Sequence, residues 1–269
     1  MRHTSRKNTV NFAQERQAAI LELLTHESAV HVAELARTFK VSAVTIRSDL
    51  DALAQAGKLQ RTHGGAISLQ RTLTVSVQDK RINVNAPAKQ AIAQVARTLV
   101  KAHDTLLVDS GTTALAFVRA LEGIADLTII TPDLTIADFI DESMPQVNAI
   151  VLGGCVRKSH RYVYGPLAHA SLALLHVDLA VVCPGSFVPV RGFMTDFPPM
   201  AEVKTAMLQA AKRRVALLDA SKVAAQGMIR FAELSEFDDI VMDRDPAGVL
   251  AAMIDELPSE QRPRLHTAE

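Results

Sequence analysis

Apolar residues recur at helical spacing near the start of the chain. In residues 12–26 the apolar stripe consists of Ile20, Leu23 and Leu24, and residues 32–39 repeat the same pattern. Only a few residues separate this second segment from a third helical segment. The spacing therefore predicts a tight helix–turn–helix.

The third helix begins within the stretch VSAVTIRSDL, residues 41–50. Its N-terminus can be capped by Ser42, and Gly57 stands where a left-handed residue would end it. Its outward face at the N-terminal end is polar and lies where the helix dipole favours phosphate. The residues of that face are Val44, Thr45, Arg47, Ser48 and Asp51.

A β-hairpin is predicted directly after the third helix. The segment KLQRTHGGAISL, residues 58–69, places Gly64 and Gly65 between two short β-prone runs, with Arg61 and His63 near the tip. Three helices and a basic hairpin predict a winged helix–turn–helix, in which the third helix enters a DNA major groove and the wing touches the backbone or minor groove. The alternative is a small helical domain that binds protein. The predicted DNA-binding residues are Ser42, Val44, Thr45, Arg47, Ser48, Arg61 and His63.

The pattern changes after residue 70. Residues 71–88 are expected to form a linker, and residues 89–257 alternate apolar strand-like runs with helical segments. Such runs predict a mainly parallel α/β sheet covered on both faces. The predicted strands are 105–110, 127–131, 149–154, 178–183, 214–219 and 239–243. We expect domain boundaries at 1–70 and 89–257, and a loose polar tail over 258–269.

Charge is distributed unevenly along the chain. Residues 1–89 carry 13 Lys/Arg and 7 Asp/Glu, while the remainder carries 16 and 22, so a polyanionic partner is expected for the first part alone. Aromatic residues make up 4%, with no Trp, which argues against a stacking platform for single strands. Two cysteines and the lack of a long apolar run predict a cytoplasmic protein without a membrane segment. We expect no metal, no cofactor and no catalytic residues.

Polar residues follow the predicted strands at their carboxyl ends, where ligands bind in open α/β sheets. The first strand leads into DSGTTALAF, residues 109–117, in which Gly111 allows a close turn and neighbouring hydroxyls point to a phosphate monoester. An ordinary N-capped turn is the alternative there, and a cap, turn or surface ion pair is the alternative elsewhere. The candidate effector-binding residues are Asp109, Ser110, Gly111, Thr112, Thr113, Asp133, Gly153, Gly154, Asp196, Glu202, Lys204 and Lys222.

These motifs resemble, in order, those of DeoR-type bacterial transcription regulators. The segments VAELARTF, VSAVTIRSDL and AGKLQRTHGGA are similar to the DNA-binding domain of that family, and DSGTTALA, LGGCVR, YGPLA, AEVKTAM and LLDASKV to its sensor domain. The resemblance implies a sensor fold like that of ribose-5-phosphate isomerase, which binds phosphorylated sugars or related metabolites. By that likeness residues 110–113 would hold the phosphate. The sugar end would be lined by Asp109, Asp196, Glu202, Lys204 and Lys222.

The chain departs from the DeoR-type pattern at three places. Ser48 replaces a second arginine of the recognition helix, so an operator sequence cannot be copied from relatives. Pro132 and Asp133 replace the usual Asn and Ser, and the run 184–186, Pro-Gly-Ser, replaces a Gly-Gly-Ile-like run. The carboxylate of Asp133 would add negative charge near the sugar, which makes a different effector plausible.

The sequence therefore predicts a DNA-binding repressor of a sugar or related metabolic operon, controlled by a phosphorylated metabolite. Its expected partners are double-stranded operator DNA, the effector, and further copies of the chain in a dimer or tetramer. Arg47 could read guanine and Val44 a thymine methyl group. Two alternatives remain open. One is an isomerase-like enzyme fused to a binding module, with Glu202 or Asp196 beside Lys204 as base, and the other is a protein adaptor.

Overall fold

The computed structural model describes residues 7–26, 29–62, 64–68 and 81–268. These residues fall into two compact units, one within residues 1–74 and the other within residues 75–269. Most of the predicted linker, residues 71–80, lies outside the described residues, as does His63. The last part of the predicted linker already belongs to a helix, α4 (Ala86–Arg97).

The first unit is a winged helix–turn–helix. Its helices are α1 (Lys7–His26), α2 (Val32–Phe39) and α3 (Ala43–Gln55), and its strands are β1 (Ala29–His31), β2 (Leu59–Thr62) and β3 (Gly65–Ser68). The three strands form one antiparallel sheet in the order β1-β3-β2. The helices and the hairpin were predicted, whereas β1 was not.

Local sequence signals account for both ends of α3. The Ser42 hydroxyl accepts a hydrogen bond from the backbone N–H of Thr45 at 3.1 Å, as expected for an N-cap. At the other end Gly57 adopts a φ of 66°, and the N–H groups of Gly57 and Lys58 bond to carbonyls of the last turn. This Schellman arrangement satisfies carbonyls that the helix end leaves without donors. The predicted extent of the recognition helix is confirmed.

Two contacts fix α3 against the other elements of the unit. The buried carboxylate of Asp49 accepts hydrogen bonds from Arg16 at 2.6 Å and Gln17 at 3.1 Å, which joins α3 to α1. Gly65 lies so close to β1 that a Cβ atom there would collide with the carbonyl oxygen of Val30. Only glycine therefore allows the wing strand to pair with β1 in this register.

The second unit is built on a seven-stranded sheet in which every neighbouring pair of strands is parallel. Its order is β15-β14-β12-β9-β4-β5-β6. The strands are β4 (Thr105–Val108), β5 (Thr128–Thr131), β6 (Asn148–Val151), β9 (Val177–Val182), β12 (Ala211–Leu218), β14 (Asp239–Met242) and β15 (Arg264–Thr267). The prediction of a parallel α/β sheet is confirmed.

Helices cover both faces of this sheet. They are α4 (Ala86–Arg97), α5 (Thr112–Ala120), α6 (Leu134–Ser143), α7 (Pro166–Leu172), α8 (Pro198–Gln209) and α9 (Val249–Asp255). Side chains alternate between the faces along each strand, so Leu106 and Val108 belong to one apolar core and Leu107 to the other. Both faces need apolar residues, which explains why the strands read as continuous apolar runs.

The strand β15 comes from the segment that the sequence analysis expected to be a loose tail. It pairs in parallel with β14 at the sheet edge. The fully buried carboxylate of Asp239 on β14 accepts hydrogen bonds from His266 at 2.7 Å and from Arg213 at 2.6 Å, and it contacts Arg264 at 3.1 Å. Burial alone would raise the pKa of Asp239, but the bonds from Arg213 and His266 outweigh burial and hold that pKa below its ordinary value. These ion pairs with Asp239 therefore hold the polar segment Arg264–Thr267 at the edge of the sheet.

Small antiparallel pieces extend three of the parallel strands beyond their carboxyl ends, and periodicity did not predict them. After β6 comes the hairpin of β7 (Cys155–Arg157) and β8 (Tyr162–Tyr164). After β9 and β12 come β10 (Ser186–Val188), β11 (Gly192–Thr195) and β13 (Ile229–Ala232), which form one small sheet. These pieces supply side chains above the edge of the sheet where a ligand is expected.

Candidate functional site

In the first unit, the outward face of α3 presents side chains that are free for a partner. The side chain of Val44 is 72% exposed, which is unusual for an apolar residue, and Arg47 and Ser48 are exposed beside it. Within the described part of the chain Arg47 has no hydrogen-bond or ion-pair partner. Ser42 is exposed and Thr45 is half-buried at the edge of the same face. The face has the shape and polarity that a groove-reading helix needs.

The wing arginine, in contrast, is already engaged. The Nε atom of Arg61 donates to Asp51 on α3 at 2.7 Å, and its Nη1 donates to the carbonyl of Gly65. Asp51 and Arg61 both belong to the side of the unit that is expected to face a partner. The contact between them ties the wing to the recognition helix and offsets one positive charge.

The second unit contains a cavity of about 300 Å³ at the carboxyl ends of β4, β9 and β12. Its floor includes the loop 110–113, which connects β4 to α5. Gly111 in this loop has a φ of 112°, and its N–H donates to the carboxylate of Asp133 at 2.9 Å. Among the described residues no acceptor is present for the N–H groups of Thr112 and Thr113. These two donors at a helix N-terminus suit an anionic oxygen.

Three cationic side chains line the same cavity as that loop. Lys89 on α4 is 7% exposed, and its Nζ donates to the carbonyls of Arg81 at 2.7 Å and Val84 at 2.5 Å. Burial lowers the pKa of Lys89 below its ordinary value, and the nearby Asp219 counteracts this in part. Lys222 and Arg81 also line the cavity, and neither side chain has an ion pair within the described ranges. An anionic ligand would compensate this charge.

An ion pair lies beneath the cavity. The fully buried carboxylate of Asp109 contacts Lys204 Nζ and accepts from the backbone N–H of Cys183 at 2.8 Å. Its other oxygen, Oδ1, is buried without a partner within the described residues. Such an atom usually meets a water or ligand donor. Burial raises the pKa of the Cys183 thiol, while Cys155, the second of the two cysteines, is exposed.

On one side of the cavity Asp219 is held by neighbours. Its carboxylate accepts from Asn85 Nδ2 at 3.1 Å, from the Ser221 hydroxyl and from the Ser221 backbone N–H at 3.1 Å. These bonds fix the turn that carries Lys222.

A second group of residues lines the other side of the cavity. The guanidinium of Arg157 lies 4.0 Å from the ring centroid of Phe197, and its Nη1 donates to the Tyr162 hydroxyl at 2.5 Å. Burial raises the pKa of Tyr162. Burial, followed by the charge of Arg157, lowers the pKa of His160. These shifts keep the tyrosine protonated and favour a neutral histidine.

The structure brings together many, but not all, of the residues predicted for effector binding. Those that line the cavity are Ser110, Gly111, Thr112, Thr113, Asp196, Lys204 and Lys222, and Asp109 lies directly beneath. Glu202 points to solvent, because positions 202 and 204 face different sides of a helix. Gly153 and Gly154 lie outside the cavity, and a Cβ at Gly154 would meet the backbone of Tyr164 instead of a ligand.

Asp133 also lies outside the cavity lining, and the expectation that its charge faces the sugar needs correction. Its carboxylate is fully buried and caps α6 by accepting from the N–H groups of Thr135 at 2.7 Å and Ile136 at 3.1 Å. Its Oδ2 also accepts a hydrogen bond from the backbone N–H of Gly111. Asp133 therefore supports the loop 110–113 from behind.

Sequence reasoning missed six polar lining residues because tertiary structure alone brings them to the cavity. They are Arg81, Asn85, Lys89, Arg157, His160 and Tyr162, and Thr195 is a seventh that was missed for the same reason. Of these, only Arg157 lies in a segment that carries the family resemblance, LGGCVR. Within the described ranges no helix could span a membrane and no cluster of His, Cys, Asp and Glu could hold a metal ion.

A winged helix–turn–helix joined to a cavity-bearing α/β unit defines a two-domain transcription regulator. Residues 16–72 match the DeoR-like helix-turn-helix domain, and residues 84–244 match the DeoR C terminal sensor domain. The chain belongs to the DeoR family of transcriptional regulators, and the resemblance and general function predicted from the sequence are confirmed.

Full-length relatives support this assignment. The chain is 34% identical to the HTH-type transcriptional regulator GolR of Listeria innocua, over 85% of this chain and 89% of the relative. It is 31% identical to the transcriptional repressor AccR of Agrobacterium fabrum, over 92% and 96%. It is 29% identical to the HTH-type transcriptional repressor GlcR of Bacillus subtilis, over 91% and 93%.

Solved structures are similar only distantly. A ribose 5-phosphate isomerase A from Methanocaldococcus jannaschii matches with a TM-score of 0.39 and 17% identity, over 52% of this chain and 55% of the isomerase. The translation initiation factor eIF-2B of Pyrococcus horikoshii matches with a TM-score of 0.42 and 12% identity, over 89% and 91%.

Proposed function

We propose that this regulator represses transcription by binding operator DNA as a dimer or tetramer, and that a phosphorylated sugar or related metabolite controls its affinity for that DNA. Two of the relatives named above are repressors. The observation that carries the effector proposal is the pair of N–H groups at Thr112 and Thr113, which have no acceptor among the described residues. They share a cavity with the cations Lys89 and Lys222, which make no ion pair in that part of the chain.

For DNA recognition, the exposed Arg47 is the leading candidate for base contact. A bidentate arginine–guanine pair discriminates by about 1–3 kcal/mol, and the exposed Val44 fits a thymine methyl group. Ser42, Thr45 and Ser48 stand where phosphate contacts would fix the register of the helix. A dimer would place two such helices about 34–36 Å apart. Because the DNA lies there, we place the protein in the cytoplasm.

For effector recognition, the phosphate would occupy the loop 110–113, with its charge compensated by Lys89 and Lys222. A sugar hydroxyl donating to the orphaned Oδ1 of Asp109 would satisfy a buried acceptor that otherwise costs free energy. Asp196 is available for a second hydroxyl. The effector can alter DNA affinity only if it binds the DNA-competent and the DNA-incompetent arrangement with different affinity.

We also propose that the cavity has no isomerase activity. Isomerisation needs a carboxylate base at the substrate. Of the two bases that the sequence suggested, Glu202 faces solvent, while Asp196 lines the cavity and already accepts from the backbone N–H of Met228 at 3.3 Å. The third carboxylate, that of Asp109, is paired with Lys204. Turnover of pentose or hexose phosphates at a rate above background would contradict this proposal.

The DNA assignment is tested with Arg47→Ala in gel-shift titrations on the DNA next to the regulator's own gene. We expect a loss of about 10- to 100-fold in operator affinity, because one specific base contact disappears. The exposed Arg244, in the second unit, provides the control Arg244→Ala, which should bind as the wild type does. Equal operator affinity of both variants would remove Arg47 from the interface.

The phosphate assignment is tested with Thr112→Ala combined with Thr113→Ala. A thermal-shift screen against phosphorylated sugars first identifies a ligand that raises the melting temperature. We expect the double variant to lose about tenfold or more in affinity for that ligand, because two hydroxyl donors to a charged group are removed. Thr98→Ala, in an exposed turn, serves as control. The double variant keeps both backbone N–H groups, so a full ligand response would exclude only the hydroxyls as phosphate contacts. Thr112→Pro removes one of the N–H groups at the first helical position, which tolerates proline, and a full ligand response in that variant would contradict the assignment.

A further inference from the structure

The guanidinium of Arg157 is held in place, and its Nε–Nη2 edge, called the unused edge below, has no acceptor among the described residues. This guanidinium is half-buried on the Phe197 ring, and Nη1 bonds to the Tyr162 hydroxyl, whose pKa burial has raised. In the part of the chain that the structure describes, no carboxylate lies within ion-pair distance of Arg157, and its Nε and Nη2 have no acceptor. Ordering such a side chain costs conformational entropy. A rigid guanidinium without an anion is arranged to receive one from a ligand.

This cation lies apart from the lysines that serve the phosphate. The loop 110–113 follows β4, and Lys222 follows β12, two strands away on one side, or about 10 Å at the usual strand spacing. Arg157 belongs to the hairpin that pairs with the end of β5, on the other side of β4, through the bridge between Asp133 and Tyr162. A single phosphate on the loop 110–113 that pairs with Lys222 would therefore leave Arg157, on the opposite side of β4, without an anionic partner.

The unused edge of Arg157 fits a carboxylate better than a second phosphate. With Nη1 engaged, Nε and Nη2 present two parallel N–H groups, which match the two oxygens of a carboxylate. Asp196 and Asp219 also line the cavity. Their charges would repel a second dianionic phosphate more strongly than a singly charged carboxylate.

We propose that the effector is a phosphorylated sugar acid, with its phosphate on the loop 110–113 and its carboxylate on the Nε–Nη2 edge of Arg157. This inference rests on the proposed function, since it names the class of ligand for the same cavity. Arg157 is then the residue that separates sugar acids from the corresponding aldoses.

The experiment compares matched pairs on the full-length protein by isothermal titration calorimetry. The pairs are erythrose 4-phosphate with 4-phosphoerythronate, ribose 5-phosphate with 5-phosphoribonate, and glucose 6-phosphate with 6-phosphogluconate. We expect the acid to bind at least tenfold more tightly than its aldose in at least one pair, because a bidentate charged contact is added. Equal affinities within every pair would overturn the inference and leave the proposed function standing. Failure of all six compounds to bind would count against both.

Two variants locate the effect. Arg157→Gln should lose at least tenfold in affinity for the acid and less than threefold for the aldose phosphate. Arg161→Gln is the matched control, because Arg161 lies on the same hairpin, bonds to Thr135 and does not line the cavity. If Arg157→Gln does not fold, Arg157→Lys keeps the charge without the fork, and the preference for the acid should fall at least threefold.

Two other results would overturn the carboxylate assignment. Equal losses for acid and aldose in Arg157→Gln would place Arg157 at the phosphate instead. Tighter binding of fructose 1,6-bisphosphate than of any sugar acid, abolished in Arg157→Gln, would assign the edge to a second phosphate.

Discussion

Replacing Asp133 by Asn should separate two roles of one buried carboxylate. Oδ1 accepts from the N–H groups of Thr135 and Ile136 and caps α6, while Oδ2 accepts from the N–H of Gly111 at 2.9 Å. Asn is as good an N-cap as Asp, so the cap survives. Its Nδ2 would then face the N–H of Gly111, and two donors would meet in a buried place.

The magnitude follows from these contacts. A hydrogen bond to a charged group contributes about 1.5–3 kcal/mol, so Asp133→Asn should lower the free energy of unfolding by about 2 kcal/mol. Asp133→Ala also removes the cap, which contributes about 1 kcal/mol, and should cost about 3–4 kcal/mol in all. Asp104→Asn is the control, because within the described residues only one of its carboxylate oxygens accepts a hydrogen bond, from the backbone N–H of Lys101 at 2.8 Å. The amide oxygen of Asn can replace that oxygen, so this variant should cost about 1 kcal/mol or less.

The assay is urea unfolding followed by tyrosine fluorescence. The chain has no Trp and only two Tyr residues, Tyr162 and Tyr164, so the signal reports on the second unit alone. Midpoints and slopes give the free energies. If the free energy of unfolding of Asp133→Asn lies within about 0.5 kcal/mol of the wild-type value, the carboxylate of Asp133 does not support the loop 110–113.

Two further predictions concern other ion pairs. Asp51→Asn removes the carboxylate that holds Arg61 and so frees this arginine to contact a DNA phosphate. We expect the affinity for duplex DNA at low salt to rise about 2- to 10-fold, and the salt dependence of binding to steepen by about one phosphate contact. An unchanged salt slope in gel-shift titrations would contradict this prediction. Asp239→Asn leaves Arg213 and His266 without their anion and should cost about 3–5 kcal/mol at neutral pH. Because the folded pKa of Asp239 is lowered, its stabilisation is present above the unfolded pKa of about 3.9 and is lost as pH falls through the folded pKa. The variant should therefore lose less stability than the wild type below about pH 4 in acid unfolding monitored by circular dichroism.

Periodicity predicted the elements whose stabilising contacts are mainly apolar. Stripes at helical spacing gave the three helices of the first unit, and continuous apolar runs gave six strands of the parallel sheet. It failed for β1, which has only three residues, and for β15, whose place at the sheet edge depends on ion pairs with Asp239. Such pairing partners are 25 residues or more away along the chain, so no local pattern records them.

The site was predictable only where topology places residues at strand ends. The loop 110–113 and Lys222 follow strands of the same sheet, and parallel order alone brings them to one edge. Arg157 and Lys89 reach the cavity from a hairpin and a helix whose directions the sequence does not state. The error at Glu202 was avoidable, because Val203 and the other apolar positions around it indicate that position 202 faces outward.

The two cysteines differ in exposure and in thiol pKa, so one of them can be labelled selectively in the unmodified protein. A maleimide dye reacts with thiolate, so at neutral pH the half-buried Cys183, with its raised pKa, should react much more slowly than the exposed Cys155. Cys155 stands two residues before Arg157, at the start of the hairpin that lines the cavity. Without any engineered change, a single fluorophore would thus sit on the hairpin that supplies Arg157 to the cavity and would register ligand entry as a change in its emission.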